Sequence, residues 1–186
     1  MTSEQVFWAR AEQVQNSIWA MTKSFVISLP ISIFIGFISW LILSKLEKKN
    51  EVIKERKWAA AGLITYFMIL VQMGLLSRPF GSTREIKWIP FITPGGDYLI
   101  VLYALANIVY FIPLGFLLAR VFKATINNAL KAGIAALTVS LFIEIMQFLL
   151  ACGTSEVEDL IMNVAGGIVG YLIYKGTIKI INKRRV

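Results

Sequence analysis

Apolar and polar positions divide the chain into five long apolar runs, 24–44, 58–76, 99–119, 132–151 and 156–174, with polar stretches between them. Each run is close to the roughly 20 residues a helix needs to cross ~30 Å of hydrocarbon. Ahead of the first, Phe7, Ala11, Val14, Ile18, Met21 and Phe25 recur at alternating steps of four and three. That spacing marks one face of an amphipathic helix, and Trp8 and Trp19 suit a membrane interface. The pattern predicts an all-α polytopic membrane bundle of five transmembrane helices. An N-terminal amphipathic, interfacial segment over 1–23 continues into the first span, and 24–186 form the helical membrane domain.

Composition strengthens this reading. With 186 residues there is room for one domain, and 57% hydrophobic against 16% charged residues is too apolar for an ordinary soluble one. The net charge of +8 does not point to nucleic acid, because the basic residues gather between and after the apolar runs. Topology signals and contacts to anionic head groups have that distribution. A single cysteine, Cys152, excludes an intrachain disulfide, and the absence of histidine removes the usual metal sites and imidazole bases. Neither a metal nor a cofactor is expected. No small-residue cleavage site follows the first run, so it reads as a retained span.

Lysine and arginine set the orientation. Alternating the connections between two sides places 5 basic residues on one and 14 on the other. The heavier side faces the cytoplasm, which puts the N-terminus outside and the C-terminus inside. The helix 4–5 turn then shares the outer face with the long helix 2–3 connection, "SRPFGSTREIKWIPFITPGGDY". Three prolines and three glycines rule out a continuous helix there. Trp88, Phe91 and Tyr98 suit a loop lying on the membrane as a lid.

Polar residues inside the runs carry the candidate chemistry. If "CGTS" turns the chain, with Ser155 and Glu158 as a capping box, helices four and five descend together. Glu144 then lies level with Asn163, ~12 Å below the outer turn, and Gln147 level with Asp159. Asn107 reaches the depth of Glu144, and Gln72 is near that of Gln147. Glu144 and Gln147 share a face, while Asp159, Asn163, Gly166 or Gly167, and Gly170 form one stripe. Pro113 leaves the carbonyl of Val109 without its helical donor. Bland explanations compete for most of these. Glycines at that spacing pack helices, buried amides hydrogen-bond between helices, and Glu156 and Glu158 suit a helix N-terminus. Glu144 is harder to dismiss, because an intramembrane carboxylate costs about 2.5–3.5 kcal/mol on insertion scales.

The segments "NIVYFIPLGFLL", "EIMQ" and "EVEDLIMNVAGGIVGYLIY", with "WIPF" in the outer loop, resemble the VanZ-like family over roughly 76–174. The pattern Asn-x5-Pro-x-Gly, Glu-x-x-Gln, Asp-x3-Asn-x2-Gly carries over to Asn107, Pro113, Gly115, Glu144, Gln147, Asp159, Asn163, Gly166 and Gly170. Pro113, Gly115, Gly166 and Gly170 read as helix-packing positions. Members often have an arginine shortly before the acidic pair, where this chain has Gly153. If that arginine meets an anionic ligand, Arg78, Arg84 or Lys87 must replace it. The resemblance implies a bacterial plasma-membrane protein acting at the outer face, with an effect on the envelope or on tolerance of teicoplanin-type glycopeptides.

Three mechanisms follow, ranked in this order. A binding module holds a lipid-linked or amphiphilic ligand on Asn107, Glu144, Gln147, Asp159 and Asn163, with Arg78, Arg84 and Lys87 at its head group. An enzyme acts on a lipid-linked substrate, with Glu144 as general base and Asp159 as acid or electrostatic partner. A small transporter moves a proton on Glu144. The partners implied are the bilayer and such a ligand, without nucleic acid; association of identical chains stays open.

Overall fold

The computed structural model describes residues 3–47, 50–76, 80–81, 83–90 and 98–184. Among them are five helices long and apolar enough to cross a membrane. The protein is an all-α membrane bundle, as its apolar runs require, with one small element that they do not announce.

Helix α1, Ser3–Leu46, is a single 44-residue helix. It runs unbroken through 23 and 24, so the amphipathic segment and the first span are one rod. At 1.5 Å per residue it is about 66 Å long, roughly twice the hydrocarbon thickness. Small residues recur at every fourth position along one edge, Ala20, Ser24, Ser28, Ser32 and Gly36. Ser28 and Ser32 are buried. This ridge lets α2, Glu51–Val71, approach closely: a Cβ at Gly36 would strike the Thr65 hydroxyl. The opposite edge, with Ile27, Ile31, Phe34, Ile38 and Leu41, is exposed, as a lipid-facing side requires.

Asn50 starts α2 by accepting the N–H groups of Val52 and Ile53 on its side chain. The helix ends in a π-helical turn, Gln72–Leu76. There Gln72 is buried and donates to Ser32 Oγ at 2.7 Å, an interhelical bond to α1. Helix α3, Tyr98–Val121, contains Pro113, and α4 is Ala129–Leu150, capped at its start by Asn128. Helix α5, Val157–Lys183, lies tightly along α3. A Cβ at Gly166 would fall on the Ile108 carbonyl, one at Gly170 on the Ile112 carbonyl, and one at Gly115 on Gly167. These glycines are therefore the helix contacts that their spacing indicates. The Val109 carbonyl left by Pro113 is not at the polar centre, because Val109 is on the exposed side of α3.

The connection between α4 and α5 departs from expectation. In place of a tight turn, Cys152–Glu156 forms a strand, β2, parallel to strand β1, Thr83–Lys87, of the long outer connection. Ala151, in the left-handed conformation with φ 49°, ends α4 and turns the chain. The strand then folds back along α4: Ser155 Oγ donates to the Glu144 carbonyl at 3.0 Å. Ser155 is thus not part of a capping box. The residue that caps α5 is Glu156, and it makes no side-chain capping bond. Extended backbone at this depth needs partners, and β1 and α4 supply them. One core cluster includes Leu70, Phe111, Leu114 and Ile143 together with Cys152 of β2. A second, with Ala119, Ile126, Tyr171 and Tyr174, fills the other end. That far end also holds the ion pairs Lys57–Glu47 and Lys123–Glu55, both 2.6 Å.

Candidate functional site

The backward path of β2 sets the geometry of the polar layer. It brings the start of α5 back along α4 to Glu144. The backbone N–H of Glu156, at the N-cap of α5, donates to Glu144 Oε2 at 3.2 Å. A carboxylate at a helix N-terminus offsets the positive end of the dipole, so Glu144 supports α5 as well as facing the interior. The same shift changes the pairing between helices. Asn163 Nδ2 meets Ser140 Oγ at 2.8 Å, one turn below Glu144 and not level with it. Asn163 thus meets Ser140 in place of Glu144.

All five helices border one cavity of about 240 Å³. From α1 come Ser17, Met21 and Ser24; from α2 and its π-helical turn, Leu70, Met73 and Gly74. The walls from α3 are Tyr103, Asn107, Tyr110 and Phe111. Ile143, Glu144 and Gln147 come from α4, and Asp159 and Asn163 from α5. The structure thus brings Asn107, Glu144, Gln147, Asp159 and Asn163 together. Asn107 Nδ2 donates to Asp159 Oδ1 at 2.6 Å, a bond between α3 and α5. Gln147 Nε2 donates to the Gly74 carbonyl at 3.0 Å. Gln72 lies outside the cavity, on its bond to Ser32.

The basic residues expected above this layer are placed differently. Arg78 lies outside the described residues. Arg84 pairs across the sheet with Gly153, and its guanidinium donates to the Leu149 carbonyl at 3.2 Å over the Phe148 ring. It caps the C-terminus of α4. Lys87 forms a 2.7 Å ion pair with Glu156. The hydrogen bond to that carboxylate raises the Lys87 pKa above the usual lysine value, against a smaller opposing effect of burial. Neither Arg84 nor Lys87 borders the cavity. Among the described residues, no group of three or more His, Cys, Asp or Glu side chains is arranged to hold a metal ion.

Ser17, Ser24, Tyr103 and Tyr110 border the cavity without having been singled out by the sequence reading. Their signal is present in the chain. The fourfold spacing of small residues continues from the α2 contact up to Ala20 and Ser24, marking the edge of α1 that faces inward. Tyr103 Oη donates to Ser17 Oγ at 3.2 Å, joining α3 to the part of α1 read as interfacial.

Five apolar helices around a shared polar cavity define a multi-pass membrane protein of the helical-bundle class. The VanZ/LLP1 family model matches residues 31–181, and the chain belongs to that family. It is 30% identical over 124 residues to Protein VanZ of Enterococcus faecium, covering 67% of this chain and 73% of that protein. No solved structure matches the chain.

Proposed function

We propose that this VanZ-like protein binds a lipid-linked or amphiphilic component of the envelope at the outer face of the bacterial plasma membrane. Through that binding it affects tolerance of teicoplanin-type glycopeptides. The observation that carries the reading is the cavity, where two carboxylates and three side-chain amides converge inside an otherwise apolar bundle. Leu70, Phe111 and Ile143 line the same space, so one ligand can meet polar and apolar walls together. A scaffold needs few polar groups, and intramembrane carboxylates are expensive to bury. The excess of lysine and arginine at the end opposite the strands supports an outward-facing cavity, with the N-terminus outside and the C-terminus cytoplasmic.

The test is a glycopeptide-tolerance assay on cells expressing wild type or Glu144→Gln at equal levels. Glutamine can still accept the Glu156 N–H, so the variant is expected to fold while losing the effect on tolerance. Full tolerance from a folded Glu144→Gln protein would make the carboxylate a support for α5 only.

A further inference from the structure

The end of the bundle opposite the strands holds a separate cleft, which shares no lining residue with the central cavity. It lies between α2, α3 and α5, and its volume of about 420 Å³ is within the roughly 300–1,000 Å³ of small-ligand pockets. The α5 wall is one helical face, with Tyr174, Ile178 and Asn182 at steps of four. Polarity along the cleft is graded. Phe116 and Tyr174 meet edge to face at 5.7 Å and belong, with Ile178, to the core cluster of this end. Arg120 lies one turn beyond Phe116, and Asn182 two turns beyond Tyr174, toward the helix ends. The neighbouring charges are already matched. Glu55, the acidic residue of the cleft, pairs with Lys123 at 2.6 Å. Arg56 donates to the Val121 carbonyl at 2.8 Å and so meets the negative end of the α3 dipole. Arg120 is half-buried and, among the described residues, makes no hydrogen bond or ion pair; its attraction to Glu55 acts at longer range.

We infer that this cleft holds an anionic phospholipid, with its phosphate on Arg120 and an acyl chain running inward along Phe116 and Ile178. A guanidinium presents a fork of donors that matches two phosphate oxygens, and it keeps its charge throughout the physiological pH range. Partly burying that charge beside apolar side chains costs solvation, which an anion restores. Asn182 adds an amide donor at the same end. The carboxylate that could receive an ethanolamine or choline tip, Glu55, is engaged by Lys123, so a zwitterionic lipid gains less. Basic pockets between transmembrane helices take anionic head groups on the side where lysine and arginine are in excess, and this is that end of the chain. The inference stands apart from the reading of the central cavity and does not depend on it.

The test titrates purified protein in micelles with phosphatidylglycerol or phosphatidylcholine of the same chains and counts bound copies by native mass spectrometry. The first phosphatidylglycerol is expected to bind about tenfold more tightly than phosphatidylcholine. Arg120→Gln is expected to bring that ratio to within about twofold. Lys179→Gln removes the same charge from an exposed position outside the cleft, and Glu144→Gln alters only the central cavity; both are expected to keep the ratio. Inorganic phosphate in excess, at constant ionic strength, is expected to leave the lipid bound. Displacement by it would make the cleft a site for free anions and overturn the lipid assignment. Equal binding of the two lipids by wild type overturns it as well, as does an equal loss of the ratio in Arg120→Gln and Lys179→Gln. A phosphatidylglycerol with a photoreactive chain places the lipid on wild type, whatever the folding of the variants. Crosslinks are expected within 116–120 or 174–182, and labelling confined to other segments contradicts the assignment.

Discussion

Gly170 and Gly176 lie six residues apart on α5, and alanine at the two sites is expected to shift stability in opposite directions. At Gly170 the new methyl would fall on the Ile112 carbonyl and 2.7 Å from the Phe116 nitrogen, both backbone atoms of α3. No side chain can rotate aside, so the two helices must separate along their closest seam. Overpacking of this kind costs about 1–3 kcal/mol, and a backbone obstacle belongs at the upper end. Alanine's advantage over glycine in a helix returns about 0.5–1 kcal/mol, leaving a net loss of about 2 kcal/mol. At Gly176 nothing lies within 4 Å of the added carbon, so only the gain remains. For a chain of this size, 1 kcal/mol corresponds to roughly 2–4 °C in Tm. Thermal unfolding of purified variants in one detergent is therefore expected to show Gly170→Ala lower by roughly 4–8 °C and Gly176→Ala slightly higher. Equal shifts, or stabilisation by Gly170→Ala, would refute the close α3–α5 contact. The Asn107–Asp159 bond spans the same pair of helices, so Gly170→Ala should weaken function together with stability.

Other outcomes follow from the strands and the outer loop. Ser155→Ala removes the bond to the Glu144 carbonyl and is expected to cost about 1 kcal/mol in the same unfolding assay, whereas a true capping serine would also fray α5 in hydrogen exchange. The Lys87–Glu156 pair is solvent-exposed, with the Lys87 side chain 62% accessible, so Lys87→Met should change stability by less than about 1 kcal/mol. Because folding raises the Lys87 pKa, that contribution is present below the unfolded lysine value and disappears as pH rises through the folded one. Wild type and Lys87→Met should therefore converge in Tm on the alkaline side and differ at neutral pH. For topology, Trp88→Cys in a Cys152→Ser background is expected to react with an impermeant thiol reagent on intact cells, while Lys54→Cys stays protected; the reverse pattern would invert the bundle.

How far the sequence could be read depended on the range of the interactions involved. The spans follow from the length of the apolar runs, a local property that lipid enforces directly. Asn107, Glu144, Gln147, Asp159 and Asn163 were legible for the same reason, since a polar side chain inside such a run must face inward. Their mutual register was not legible. It depends on "CGTSE" becoming a strand, and that segment is paired with residues near Arg84, 69 positions away, as Arg84 is from Gly153. Five residues without a clear period give no sign of such a partner, and a tight turn is the simpler reading. Folding back along α4 moved Asn163 to Ser140 and placed the α5 N-terminus against Glu144. Arg84 and Lys87 lie away from the cavity for a related reason. Sequence alone shows them as loop cations, and the sheet gives each a neighbour, a helix C-terminus for one and Glu156 for the other. The apolar face of α1 before Ser24 suits an interface, and its polar edge completes the cavity through Ser17.

The central claim is that the polar cavity binds an amphiphile and is more than a buried network holding helices together. Untargeted mass spectrometry of the amphiphiles that remain with the purified protein tests it most directly, comparing wild type with Glu144→Gln prepared identically from the same cells. One species, or one head-group class, is expected to be enriched with wild type and absent from a variant of unchanged Tm. Identical profiles from two equally stable proteins would contradict the claim.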